Sequence, residues 1–165
     1  MYTVVPRLLK SLENLSNWYI RLNRQRLKGT ANLGAEDTTA ALNTLFRVLF
    51  TLTCAMAPFA PFITEHIYSL LRPHVGDTLN HVENTDSVHF LPFPQAQKQL
   101  MDPVVERKMA ALQKVTRLTR TARERRSLGL RTPLKSLVVI ADDQFIADVN
   151  DLRSYITEEL SVTEV

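Results

Sequence analysis

The chain has 165 residues, of which 45% are hydrophobic and 22% charged, and a formal net charge of +3. That is enough for one compact domain with a small appendage. The single cysteine, Cys54, excludes a disulfide framework and a closed Cys/His zinc site.

Four glycines, none in a GxGxxG or GxxxxGK[ST] arrangement, exclude the familiar phosphate-cradling loops. No run of 18 apolar residues marks a membrane span, and the N-terminus lacks the apolar core of a secretory signal. Residues 4–28 are predicted to be a helix, because Val4, Val5, Leu8, Leu12, Leu15, Tyr19 and Leu22 recur at three- and four-residue steps. Gly29 is its natural stop. A second helix is expected over 35–56, with Leu42, Leu45, Phe46, Leu49, Leu52, Thr53 and Met56 inward and Glu36 and Asp37 at its positive end. Pro61 suits the first turn of a third helix that ends near Leu71, with Phe62, Ile63, Ile67 and Leu70 inward. Residues 73–100 read as an irregular connection with one extended run over 87–91. A fourth helix over 103–127 carries Val105, Leu112, Val115, Leu118 and Ala122 on its apolar face. The period then changes. Residues 137–140 (LVVI) form a strand candidate, 145–160 a helix with Phe145, Val149, Leu152, Ile156 and Leu160 inside, and 161 onward another strand.

The expected fold is therefore mainly α: an antiparallel helical bundle over 1–128, including the 73–100 connection, followed by the start of a small βαβ tail over 129–165. Two parallel strands joined by one helix leave a sheet incomplete. That shape implies a piece of a longer protein or a sheet finished by another chain.

Charge is unevenly distributed. Residues 107–135 carry ten basic groups against one acid, Glu124, and residues 136–165 carry seven acids against Arg153. The basic block is the kind of field that attracts polyanions; the competing reading is a helix whose charges pair with the acidic tail. At 100° per residue, Asn17, Arg21, Arg24 and Lys28 fall on a ridge opposite the Leu8 stripe. Arg26 continues the inward stripe, as a structural ion pair would. Trp18 sits at the border, where an indole could stack on a base, although a core role serves equally. On the fourth helix Lys114, Arg117, Arg120 and Arg125 lie away from the Leu112 stripe, and Arg123 and Arg126 nearer the buried face. Arginine's planar fork suits phosphate.

No catalytic or metal-ligating set stands out. His66, His74, His81 and His89 lack ligand spacing, Glu65 is explained by the helix dipole, and Cys54 reads as an inert buried thiol.

Three further runs complete the picture: 17–29 (NWYIRLNRQRLKG), 56–71 (MAPFAPFITEHIYSLL) and 87–94 (SVHFLPFP), with 125–140 (RRSLGLRTPLKSLVVI) after them. Together they resemble the anticodon-binding region of class I aminoacyl-tRNA synthetases for branched aliphatic amino acids, and the eukaryotic-type cytoplasmic isoleucyl enzymes best. The resemblance implies a bundle that docks on the anticodon stem-loop of tRNA(Ile). It implies a catalytic domain elsewhere that uses ATP and magnesium. The signatures His-Ile-Gly-His and Lys-Met-Ser-Lys-Ser are not in this sequence, so the chain alone is expected to be inactive and to need no cofactor. Single-cysteine usage fits the eukaryotic type, since bacterial relatives end in a cysteine-rich zinc module. Asn17 and Trp18 become base-reading candidates, and Arg21, Arg24, Lys28, Lys114, Arg117, Arg120 and Arg125 tRNA backbone contacts. Other synthetase-complex subunits are further partners to consider, a membrane is not, and the expected compartment is the cytoplasm. The alternatives are the same region of a valyl or leucyl enzyme, or a helical module that docks subunits of a synthetase complex.

Overall fold

A computed structural model describes residues 2–31, 33–79 and 82–165; His81 lies outside them. The fold is mainly α, as expected. Its elements are α1 (Val4–Asn14), a π-helical stretch (Leu15–Ile20), α2 (Arg24–Leu27), α3 (Ala35–Met56), α4 (Pro61–Leu71), α5 (Pro103–Arg125), β1 (Leu134–Ser136), α6 (Asp143–Asp151), α7 (Arg153–Leu160) and β2 (Val162–Glu164). They form two compact units, residues 1–96 and 97–165. This differs from the expected division at 128/129, because α5 packs on α6 and α7 within the second unit.

In the first unit α3 is the central helix, packed on α1, α2 and α4. Among the described residues it is the one helix long and apolar enough, by length and composition, to cross a membrane. It holds no unbroken run of 18 apolar residues, because Asn43, Thr44, Arg47, Thr51 and Thr53 interrupt it. The predicted 4–28 helix is real but not uniform. Six residues adopt π geometry, in which Leu15 and Trp18 are buried and the Tyr19 hydroxyl donates to the Ala41 carbonyl of α3 at 3.0 Å. Gly29, at φ +69°, takes the left-handed conformation that ends α2. Val4 and Leu42, expected inside, are exposed at the ends of their stripes.

The third helix has the expected limits but not the expected face. Phe62 is 91% exposed, and Ile63 and Leu70 also face solvent; Thr64 and Tyr68 are the buried positions. Tyr68 packs with Cys54, Ala57 and Val88, and its hydroxyl donates to the Thr85 carbonyl at 2.7 Å. Burial raises both the Tyr68 phenol and the Cys54 thiol, the latter to about 11, so Cys54 is an inert thiol. The predicted extended run over 87–91 is instead a 3-10 turn, Val88–Phe90. Its fold comes from Glu65, whose carboxylate accepts from the Ser87 hydroxyl at 2.7 Å and the Val88 amide at 3.2 Å. Glu65 is thus a clasp for this loop rather than a dipole partner of its own helix.

In the second unit Asp102 caps α5, accepting from the Val104 and Val105 amides. Strands β1 and β2 pair in parallel, Leu134 opposite Val162 and Ser136 opposite Glu164, with α6 and α7 between them in sequence. The single helix predicted over 145–160 breaks at Leu152, whose φ/ψ of −110°/18° is non-helical. The strand expected at 137–140 also shifts: β1 ends at Ser136, and Val138 and Ile140 are 79% and 93% exposed.

Candidate nucleic-acid interface

In the first unit Asn17, Arg21, Arg24 and Lys28 are all exposed, while Leu8, Leu12 and Leu15 are wholly or partly buried. Arg26 turns inward as expected and makes a two-point ion pair with Asp37, Nε to Oδ2 at 2.7 Å and Nη2 to Oδ1 at 2.6 Å. The Arg26 hydrogen bonds hold the Asp37 carboxyl below the usual carboxylate range. The pair ties α2 to the first turn of α3, fixing the end of the helix that bears Arg24 and Lys28. Trp18 takes the core alternative. At 8% exposure its indole belongs to the core and has no face to offer a base.

On α5 the buried face is rotated from the prediction. It comprises Ala111, Leu112, Val115, Thr116, Thr119 and Arg123, whereas Val105 and Leu118 are exposed. With Leu112 at zero, Arg120 then lies about 40° from Thr116, at the flank of the buried face. It pairs there with the buried Glu159 carboxylate of α7 and is not a free cation. Arg107 binds the buried Asp148 carboxylate through two bonds of 2.7 and 3.0 Å, and Lys108 reaches Asp151 at 2.7 Å. The acidic tail therefore neutralises three basic groups of α5, so the competing charge reading holds for that side of the helix. Lys114, Arg117 and Arg125 remain exposed on its outer face; the Lys114 ammonium also lies 5.4 Å from the centroid of the Phe145 ring. Arg123 is a core residue, as expected, while Arg126 is exposed just past the helix.

The tail ion pair makes the second unit acid-sensitive. Hydrogen bonds from Arg107 hold the Asp148 carboxyl below its ordinary range, against the opposing effect of burial. The unfolded chain therefore binds that proton first as pH falls. The stabilisation is complete above the unfolded value of about 4 and is lost as pH drops through the lower folded value. Thermal melts followed by circular dichroism should have a midpoint that this carboxylate leaves flat from pH 8 to about 5 and lowers below about 4. Asp148→Asn should lower the neutral midpoint and flatten part of that acid limb.

Residues 1–139 match the family described as the anticodon-binding domain of tRNA ligase. The chain belongs to this family. Among similar proteins are the cytoplasmic isoleucine–tRNA ligases of Saccharomyces cerevisiae (44% identical), Schizosaccharomyces pombe (48%) and Mus musculus (42%). Each alignment covers 100% of this chain, but only 16%, 15% and 13% of the respective relatives. An anticodon-binding domain needs exposed donors at fixed spacing to follow a phosphate backbone. Arg21, Arg24 and Lys28 are exposed in the first unit, and Lys114, Arg117 and Arg125 are exposed on α5. The structural signals that sequence reading missed were the apolar surface of α4 and the Glu65 clasp. Both depend on how the 82–94 loop folds back, which helical periodicity does not encode.

Proposed function

We propose that the chain is the portion of an isoleucine–tRNA ligase that holds the anticodon stem-loop of tRNA(Ile), positioning it for aminoacylation by a catalytic domain outside these residues. The observation that carries this reading is the exposure of Asn17, Arg21, Arg24 and Lys28 in a chain of the anticodon-binding family. Exposed arginines donate to phosphate oxygens and fix register, and Asn17 offers both a donor and an acceptor to an unstacked base. Lys114, Arg117 and Arg125 contribute backbone contacts of their own, whereas Arg120 and Trp18 leave the site because they are engaged internally. Relatives named for isoleucine favour that amino acid over valine or leucine, and names that specify the cytoplasm support that compartment.

ATP and magnesium belong to the parent's catalytic domain. A second reading, docking of other synthetase-complex subunits, is favoured by the exposed Phe62, Ile63 and Leu70 on α4.

Salt separates the two. If four phosphates are engaged, log affinity for tRNA falls against log salt with a slope of roughly −3 to −4, measurable by fluorescence anisotropy. A flat response points to the docking reading. ATP–pyrophosphate exchange with isoleucine should be undetectable in the 165-residue chain; measurable exchange would place catalysis where the reading says there is none.

A further inference from the structure

The basic block over 107–135 divides in two by its partners. Arg107, Lys108 and Arg120 are paired with carboxylates of the acidic tail. Beyond Glu124 the chain carries Arg125, Arg126, Arg131 and Lys135, with no acid before Asp142. All four are exposed, and among the described residues none of these side chains has an ion-pair or hydrogen-bond partner. The helix dipole favours cations at the end of α5, where Arg125 and Arg126 stand, but it falls off within the last turn. It does not account for Arg131 in the turn that follows or for Lys135 on β1.

The turn that presents these cations is fixed from behind. Ser127, at φ +53°, takes the left-handed conformation that closes α5, and the Ser127 and Leu128 amides donate to the Glu124 and Arg123 carbonyls at 3.0 and 2.9 Å. The buried Arg123 guanidinium donates to the Gly129 and Thr132 carbonyls at 2.8 and 2.7 Å, and the Thr132 amide also donates to Gly129 at 3.1 Å. In a trans peptide the N–H points opposite to the carbonyl, so the Leu130 amide is directed away from Arg123. On β1, Leu134 is half-buried while Lys135 is exposed. Outward-facing cations on a loop already ordered lose less freedom on binding than those of a floppy segment.

We propose that the turn from α5 into β1 is a further phosphate-binding surface, in which Arg126, Arg131 and Lys135 hold the sugar–phosphate backbone of tRNA, an inference that rests on the tRNA reading above. Guanidinium forks, an ammonium and an outward amide are the donors that phosphate oxygens accept. The whole turn lies within the residues matched to the anticodon-binding family, which favours RNA over an acidic protein surface as the occupant.

Fluorescence anisotropy of the chain with a labelled tRNA(Ile) transcript tests this. Arg126→Gln, Arg131→Gln and Lys135→Gln together should weaken binding about tenfold or more at about 0.1 M salt. The log–log salt slope should become shallower by about 2 to 3. Arg126→Lys with Arg131→Lys should keep most of the slope, since an ammonium still pairs with phosphate as a point charge. A second measurement needs no variant: in the unaltered chain, saturating tRNA should slow acetylation of Lys135 by acetic anhydride, read by mass spectrometry. Wild-type affinity and slope in a glutamine variant with an unchanged melt overturn the proposal and leave the turn to an acidic protein, and so does acetylation of Lys135 at the same rate with and without tRNA. In both cases the unaltered chain still binds tRNA with its steep salt response. Absence of that binding is the separate result that removes the tRNA reading, and this surface with it.

Discussion

Reversing two charges at α2 and its C-cap, Arg24→Glu with Lys28→Glu, should weaken tRNA binding by about a hundredfold or more at 0.1 M salt and leave the fold intact. Both side chains are exposed. The expected size follows from the chemistry. A charge-assisted hydrogen bond contributes about 1.5–3 kcal/mol, and each 1.4 kcal/mol is tenfold in affinity. Placing carboxylates against phosphate adds repulsion to the loss of both bonds. The salt response separates this mechanism from a distorted site, since removing two phosphate contacts should make the log–log slope shallower by about 2. Arg153→Glu, an equally exposed reversal on α7, should change affinity little. Filter binding or anisotropy at two salt concentrations, with a thermal melt of each variant, checks all of this. Wild-type affinity in the double variant would remove the ridge from the interface.

The exposed positions were legible because they need only local information. A helix with a fixed period separates buried from exposed positions, and Asn17, Arg21, Arg24 and Lys28 are all exposed although a π stretch interrupts that period. Arg26 was legible for the same reason: a cation in an apolar stripe needs an anion, and Asp37 stands at the helix start it would reach. The limits of α3 and α4 were equally plain, since Pro61 and the Ala57–Pro58 break punctuate the chain.

Helix α5 shows where such reading stops. Its apolar residues define two neighbouring stripes: one holds Leu112 and Val115, the other runs on to Leu118 and Ala122. Period alone does not say which stripe a neighbour covers. Thr116, Thr119 and Arg123 are buried because α6 and α7 cover that side, and the long-range pairing of Arg107 with Asp148 and of Arg120 with Glu159 spans about forty positions of sequence. The choice was therefore tertiary, and Arg120 changed role with it. Trp18 is a similar case on a smaller scale: a residue at the border of two faces goes to whichever side gains a neighbour, and an indole gains most by burial. The α4 face erred in the opposite direction. Its aromatic and aliphatic residues look like core by composition, yet Thr64 and Tyr68 occupy the interior, each with its hydroxyl satisfied by a backbone carbonyl.

The stability of the second unit should depend on Arg123 more than on any other charged residue. It is 2% exposed and has no carboxylate partner among its hydrogen bonds. Its guanidinium instead donates to three backbone carbonyls: Gly129 at 2.8 Å, Thr132 at 2.7 Å and Leu160 at 2.5 Å. The first two belong to the turn that leads from α5 into β1, and the third to the last residue of α7, whose carbonyl no helical amide can satisfy. One side chain thus joins the end of α5, the entry to the sheet and the negative end of α7, where a cation is also favoured by the helix dipole. Arg123→Met retains most of the buried volume but leaves the Thr132 and Leu160 carbonyls without a donor, whereas the Gly129 carbonyl keeps the Thr132 amide. At about 1–3 kcal/mol for each of these two acceptors, the loss is about 2 kcal/mol or more, which in a unit of this size lowers the melting midpoint by roughly 8 °C or more. Arg123→Lys keeps the charge but has one ammonium in place of a planar fork, and should recover only a minority of that loss. The thermal midpoint, followed by circular dichroism together with hydrogen exchange of peptides from residues 97–165, reads the effect directly. A fall of less than about 3 °C for the methionine variant would mean that water or a rearranged turn satisfies those carbonyls, and that the clasp is dispensable.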